Sequence, residues 1–189
     1  MLIIYAHPNK SGHSGAILKE VERFLGEKKI KYEILDLYEM GYDPVLHANE
    51  LYTSGQKGVS RETKIIQEKI KKQDKFIFIY PVWWNNMPAI LKGFFDKIFT
   101  SRFAFKYVGR WPKGLLGGRA VVFSSSGAPR LFVKLLAGDR ALKVVTRDIL
   151  KFAGIKSKAY LVGRANKFNE KQKEKIRKMV RKGLKFLIS

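Results

Sequence analysis

Phe76-Ile77-Phe78-Ile79-Tyr80-Pro81-Val82-Trp83-Trp84-Asn85-Asn86-Met87-Pro88 carries the chain from a strand into a helix. Its first five residues form a continuous apolar run of strand length, the pattern of a strand buried on both faces. Pro81 removes a backbone donor and ends the strand, and Pro88 suits the first turn of a helix. Beyond it, Ile90, Phe94 and Ile98 make one row and Leu91, Phe95 and Phe99 the next, which together form a wide apolar helix face. A doubly buried strand running into such a helix is the unit of an open α/β sheet. Sheets of that kind bind ligands beyond the carboxyl ends of their strands. Pro81, Val82, Trp83, Trp84 and Asn85 therefore occupy a ligand position. Two tryptophans and an amide there suit a flat aromatic ligand held by stacking and backbone hydrogen bonds. The loop alone leaves a second reading open, in which both tryptophans are core or a dimer contact.

Outward from this unit the same alternation repeats. Strand-like runs fall at 2–6, 31–36, 75–80, 119–124 and 158–162, and helical patterns at 14–28, 60–72, 88–100, 139–152 and 169–187. Strict alternation with apolar strands predicts one α/β domain over 1–189, a parallel sheet with helices on both faces. Right-handed crossovers leave few arrangements of five such strands, and the flavodoxin-like, doubly wound order 2-1-3-4-5 is the common one. Two long connections, 37–59 and 101–118, are expected to be functional or interfacial.

At 189 residues the chain has the length of one ordinary domain with a full core. No apolar run approaches the ~20 residues of a membrane helix. Met1-Leu2-Ile3-Ile4-Tyr5 lacks a basic leader region and reads as a strand, so a cytoplasmic protein is expected. The absence of cysteine excludes disulfides, thiolate catalysis and Cys-ligated metals. Net charge is +22 and lopsided: residues 1–109 hold 17 basic and 12 acidic side chains, residues 110–189 hold 21 and 4. Such a balance draws polyanions. Nucleic acid is disfavoured, because no RNP aromatic motif, zinc finger or Gly-X-X-Gly clamp is present. A peripheral anionic surface remains open as a partner. The bland reading is that the lysines and arginines around Ile176, Met179, Val180, Leu184 and Leu187 form the solvated face of a docked helix.

Two further strand ends carry chemistry. After the first strand the chain reads His7-Pro8-Asn9-Lys10-Ser11-Gly12-His13-Ser14-Gly15. Backbone amides at a helix start make an anion site, to which His7, Lys10 and His13 would add positive charge, with Ser14 as N-cap. This is neither a dinucleotide fingerprint nor a P-loop. The same turn is also an ordinary way to cap a helix. After the fourth strand stand Ser124, Ser125, Ser126 and Gly127, hydroxyls and a glycine suited to the edge of a heteroaromatic ring. No histidine or carboxylate accompanies these serines locally, so a nucleophilic triad is not supported; a plain Gly-terminated turn is the alternative. In the proposed sheet order the three turns are neighbours. Phosphate site, aromatic clamp and polar edge reader are what flavin mononucleotide requires.

Ile4-Tyr5-Ala6-His7-Pro8-Asn9, Asp36-Leu37-Tyr38, Tyr42-Asp43-Pro44-Val45-Leu46 and the block Pro88-Ala89-Ile90-Leu91-Lys92-Gly93-Phe94-Phe95-Asp96-Lys97-Ile98-Phe99 carry a resemblance. So do Phe103-Ala104-Phe105, Gly114-Leu115-Leu116 and Ser124-Ser125-Ser126-Gly127. Nearly end to end, the chain resembles the flavodoxin-like NAD(P)H:quinone oxidoreductases, a family that includes mammalian DT-diaphorase and ancillary oxidoreductases of bacterial potassium efflux systems. The resemblance implies that His7, Gly12, His13 and Ser14 hold a ribityl phosphate. It places Pro81, Val82, Trp83, Trp84 and Asn85 along an isoalloxazine, and Ser124, Ser125, Ser126 and Gly127 at its pyrimidine edge. It further implies a homodimer with the active site at the subunit interface.

The chain also departs from the family pattern. Gly12-His13-Ser14 replaces a common Ser-Phe-Asn, and Ser124-Ser125-Ser126-Gly127 replaces Thr-Thr-Gly-Gly. The tyrosine and histidine of the mammalian charge relay align with Leu131 and Ala137, so that relay is absent. The chain ends soon after its last helix, which favours FMN over FAD. The expected function is NAD(P)H oxidation with two electrons passed by ping-pong hydride transfer to a quinone or similar acceptor. No catalytic side chain is assigned, because the flavin carries the hydride chemistry. The alternative is a flavoprotein regulatory subunit docking on a transporter, anionic membrane or other polyanion through the basic carboxyl half. A one-electron carrier like flavodoxin itself fits poorly, since such carriers are usually acidic.

Overall fold

A computed structural model describes residues 1–51 and 59–189. Five parallel strands form one sheet: β1 (Leu2–Tyr5), β2 (Glu33–Asp36), β3 (Lys75–Pro81), β6 (Arg119–Ser125) and β7 (Lys156–Val162). Their order is β2-β1-β3-β6-β7, which is the predicted 2-1-3-4-5 when strands are counted within the sheet. Ile4 lies beside Phe78, and Phe78 beside Val122, so like positions stack across the sheet. The pleat then sorts the apolar strands onto two faces. Leu2, Ile4, Phe76, Phe78, Ala120 and Val122 pack with residues of α2 (Arg61–Lys71) and α3 (Ala89–Ile98). Ile3, Tyr5, Ile77, Ile79, Val121 and Phe123 pack beneath α1 (His13–Glu27) and α6 (Glu170–Ile188). The central strands are buried on both faces, which is why they read as unbroken apolar runs.

The last helix meets the sheet with Ile176, Val180, Leu184 and Leu187 buried, and Asn169 caps it by accepting from the Gln172 N–H at 3.0 Å. Its basic positions face away, as a docked amphipathic helix requires. A Cβ at Gly183 would stand 2.5 Å from the Phe123 ring, so only glycine permits this approach. On the opposite face, the Pro88–Phe99 block has a structural reason for its composition. A Cβ at Gly93 would fall 2.0 Å from the Pro44 carbonyl oxygen. Lys97, buried, lies 3.3 Å from Asp43 and 3.4 Å from Glu50, so the segment after β2 is locked over α3. A short 3-10 turn, Ala48–Glu50, lies within that connection. Residues 52–58 of the connection 37–59 lie outside the described residues.

Several expectations need correction. The connection 101–118 contains an antiparallel hairpin, β4 (Phe105–Val108) and β5 (Trp111–Gly114), turning at Gly109, which has φ +61°. Pro112 within β5 disguised it, and a two-stranded ribbon tolerates that proline because it has free edges. The short helix α4 (Arg130–Leu135) also escaped notice, because Leu131, Phe132 and Leu135 are exposed and give no amphipathic period. The single helix predicted over 139–152 is α5 (Arg140–Lys143) running into a π-helical stretch, Val144–Lys151. Buried Val145 and Leu150 are five apart, a spacing the wider i→i+5 turn places on one face. Asp139 precedes it in the left-handed region at φ 57°. Among the described residues, no helix is long and apolar enough to cross a membrane.

Candidate active site

The carboxyl ends of β1, β3 and β6 lie side by side, so the three predicted turns share one end of the sheet. Backbone bonds tie them together: Ala6 N–H donates to Ile79 O at 2.9 Å, and Val82 N–H to Ser125 O at 2.7 Å. The Ser14 and Ser125 hydroxyls meet at 3.3 Å in a buried contact between α1 and β6.

In the first turn the helix begins one residue earlier than the sequence suggested. Gly12 is the N-cap and offers no side-chain cap, and Ser14 sits buried in the first turn instead of capping it. Ala16 N–H takes the Gly12 carbonyl at 2.9 Å. The N–H groups of His13, Ser14 and Gly15 have no acceptor among the described residues, and no acidic residue stands in this first turn. These are the orphan donors of a helix start, grouped where the dipole favours an anion. A Cβ at Gly15 would stand 1.8 Å from the Lys10 carbonyl oxygen, so glycine lets the turn fold back against its helix.

The charge at this turn is not the expected one. Lys10 is drawn away by Asp36 at 2.7 Å and Glu39 at 2.5 Å. Burial lowers the pKa of His7 and of His13, holding both rings in their neutral form at neutral pH. His7 Nδ1 accepts from the Asn9 N–H at 2.9 Å, which leaves the ring proton on Nε2. His13 packs edge-on against Phe168, and its buried Nε2 has no hydrogen-bond partner among the described residues. The turn is thus a cradle of amides and neutral donors, with its nearby cation already paired.

The second turn is a tight two-residue loop. Trp83 N–H bonds Asn86 O at 3.0 Å and Asn86 N–H bonds Trp83 O at 2.9 Å. Its central residues, Trp84 and Asn85, have φ of 49° and 55°. Primed turns require such angles, and asparagine accepts them readily, but a tryptophan there is strained. Trp84 is fully exposed and Trp83 nearly half exposed, so neither belongs to the core. Trp83 stands 5.9 Å from the His7 ring, centroid to centroid, and links the first two turns. The amides of Val82, Trp83, Asn86 and Met87 are all spent within the protein. Those of Trp84 and Asn85 are free among the described residues.

The third turn divides. Ser124 and Ser125 belong to β6, and the pleat sends their side chains to opposite faces. Ser125 turns toward α1. Ser124 is fully buried beside Tyr80, which gives its own hydroxyl proton to Ala141 O at 2.9 Å. Only Ser126 and Gly127 stand in the turn itself. Ser126 N–H bonds Val162 O, and its Oγ accepts from the Ala128 N–H. Residues after β7 close this side: Ala165 N–H reaches Ser126 O, and Phe168 covers His13. Sequence reasoning passed over Phe168, because it follows β7, whose end was not among the three turns expected at the site.

A family model described as flavodoxin-like fold matches residues 1–186. An uncharacterized NAD(P)H oxidoreductase of Haemophilus influenzae is 34% identical over 61% of this chain and 57% of its own. Human ribosyldihydronicotinamide dehydrogenase [quinone] is 27% identical over 82% of this chain and 77% of its own. Among solved structures, an NAD(P)H:quinone oxidoreductase from Methanothermobacter marburgensis superposes with a TM-score of 0.85 at 26% identity, covering 100% of this chain and 96% of that one. The chain spans less than two thirds of the first curated relatives it matches, 57% of the Haemophilus protein and 58% of guinea-pig NAD(P)H dehydrogenase [quinone] 1. The match over nearly the whole chain and the five-stranded order agree: the chain belongs to the flavodoxin-like fold family, with relatives named NAD(P)H oxidoreductase and NAD(P)H dehydrogenase [quinone].

Proposed function

We propose that the protein is an FMN-dependent NAD(P)H oxidoreductase that passes two electrons to a quinone or similar acceptor by ping-pong hydride transfer. The observation that carries this reading is the pairing of two unmet demands at one end of the sheet. Three orphan helix-start amides want an anion, and an exposed, strained Trp83–Trp84 turn wants a flat apolar partner. A ribityl phosphate and an isoalloxazine meet both. The relatives named NAD(P)H dehydrogenase [quinone] and NAD(P)H:quinone oxidoreductase support the reaction class.

FMN when bound would supply the hydride chemistry. The protein's own groups bind and orient. His13, Ser14 and Gly15 would hold the phosphate through their N–H groups, with the His7 Nε2 proton beside them. Trp83 and Val82 would wall the ring, and the free amides of Trp84, Asn85 and Gly127 would meet its polar edge. The proposed unit is a cytoplasmic homodimer, in which a second copy would cover Trp84.

The test is the absorption spectrum of the purified protein, identification of any released cofactor, and anaerobic titration with NADH and NADPH. A yellow protein releasing FMN and bleached by either nucleotide is expected. Protein that takes up no FMN on reconstitution, or whose bound flavin neither nucleotide bleaches, would overturn the proposal.

A further inference from the structure

Strand β7 is one of the two edges of the sheet, with β2 the other. In a parallel ladder, alternate residues direct both backbone groups to the same side. Lys156 N–H bonds Gly118 O, and Val162 O accepts from Ser126, so the even-numbered residues of β7 face β6. The N–H and C=O groups of Ala159 and Leu161 therefore point outward, and they have no hydrogen-bond partner among the described residues. They open into a groove of about 620 Å³ between β7, α6 and the start of α4. Its walls hold Arg130, Arg164, Lys175, Lys178 and Lys182, and no acid. Arg130 is paired with Asp139 and Lys178 with Glu174, whereas Arg164, Lys175 and Lys182 have no acidic partner among the described residues. Leu131 and Met179 add apolar surface to the same groove.

Lysines on an edge strand commonly guard it against aggregation, and Lys156 and Lys158 of β7 stand where that role requires, Lys158 over the Phe186 ring. The unpaired cations of the groove are additional to these: Lys175 and Lys182 come from α6 and Arg164 follows Gly163, across a concave space from the free backbone. Nucleic acid would be read by exposed aromatic platforms, which this groove lacks apart from the half-buried Tyr160. A bilayer is flat and would not enter a groove. An extended chain carrying carboxylates matches all three features: free strand hydrogen bonds, apolar spots for alternate side chains, and uncompensated positive charge.

We propose that the outer edge of β7 is a docking groove for an extended acidic segment of a partner protein. The segment adds as a further strand on Ala159 and Leu161, with its carboxylates against Arg164, Lys175 and Lys182. This site is separate from the flavin proposal, and its test uses no flavin.

The probe is a short, labelled synthetic peptide alternating Glu and Val, followed by fluorescence anisotropy at low salt. Two N-methylated versions carry the methyl groups on complementary sets of alternate residues. One of them should bind about tenfold or more weakly, through lost strand hydrogen bonds, while the other binds as the parent does. Amide exchange at Ala159 and Leu161 should slow on binding. The Lys175→Glu/Lys182→Glu variant should bind about tenfold or more weakly while keeping its melting temperature. The N-methyl comparison uses unaltered protein, so misfolding of a variant cannot imitate the result. Equal binding of all three peptides, or unchanged exchange at both amides, would overturn strand addition. Capture by a single-stranded oligonucleotide or by phosphatidylglycerol vesicles without peptide binding would overturn the choice of partner.

Discussion

Two neighbouring strand ends solve opposite problems. The turn after β3 is exposed, strained and aromatic: Trp84 stands wholly in solvent on a left-handed backbone. The end of β6 and the turn after it are unstrained and polar: buried Ser125 bonds Ser14 across elements, and buried Ser126 is tied to Val162 and Ala128. Ser125 and Ser126 spend their hydrogen bonds holding the end of the sheet together, whereas the tryptophan turn keeps two amides and an aromatic face unspent. Strain tolerated without internal compensation points toward a ligand or partner, and satisfied polar contacts point toward architecture.

That contrast is open to direct attack. The largest effect is expected from Trp83→Ala/Trp84→Ala, which should weaken FMN binding by about 10- to 100-fold, or 1–3 kcal/mol if stacking resembles base–aromatic stacking. The melting temperature of the flavin-free protein should hardly move, because neither ring is in the core. Fluorescence titration with FMN reads the affinity, and an unchanged Kd would break the comparison. Ser125→Ala should show the reverse pattern. It should lose about 0.5–1.5 kcal/mol in urea unfolding by orphaning the Ser14 hydroxyl, with FMN affinity altered much less than in the tryptophan double variant. Trp84→Asn should stabilise the flavin-free protein by about 0.5 kcal/mol, since asparagine suits a left-handed turn. Such a gain in unfolding free energy, together with weakened FMN binding, would show strain held for function.

The gentlest probe is pH. Burial lowers the His7 and His13 pKa in the folded protein, so the unfolded chain takes up those protons first as pH falls. Their contribution to stability is therefore full above about 6.5, the ordinary histidine value, and is lost as pH drops below it. Urea unfolding at steps from neutral to mildly acidic pH should show this slope. His13→Phe should flatten it, and a slope unchanged by that substitution would assign it to other groups.

Much of this was legible residue by residue. The apolar runs around Phe78 and Val122 are doubly buried strands because parallel sheets cover both faces, and handedness left few strand orders, of which the common one is observed. The hairpin at Phe105–Gly114 and helix α4 were not legible. Apart from Phe105 and Val133 their large apolar side chains are exposed, so neither shows the one-sided periodicity that burial imprints. At the site, the residue types in the turns were readable but the fate of each group was not. Lys10 looked like a phosphate ligand until Asp36 and Glu39, distant in sequence, claimed it. Ser124 and Ser125 looked available to a ligand at the strand end until β6 ran on through Ser125 and buried both.

By itself the sequence determined the parallel sheet, its strand order and the gathering of three strand-end loops, because hydrophobic periodicity and handedness are local or near-local rules. Only the tertiary structure decided which amides stay free, which cation is already paired, which tryptophan stands in solvent, and that β7 presents a bare basic edge. Those outcomes depend on competition among residues far apart in the chain, and only folding settles it.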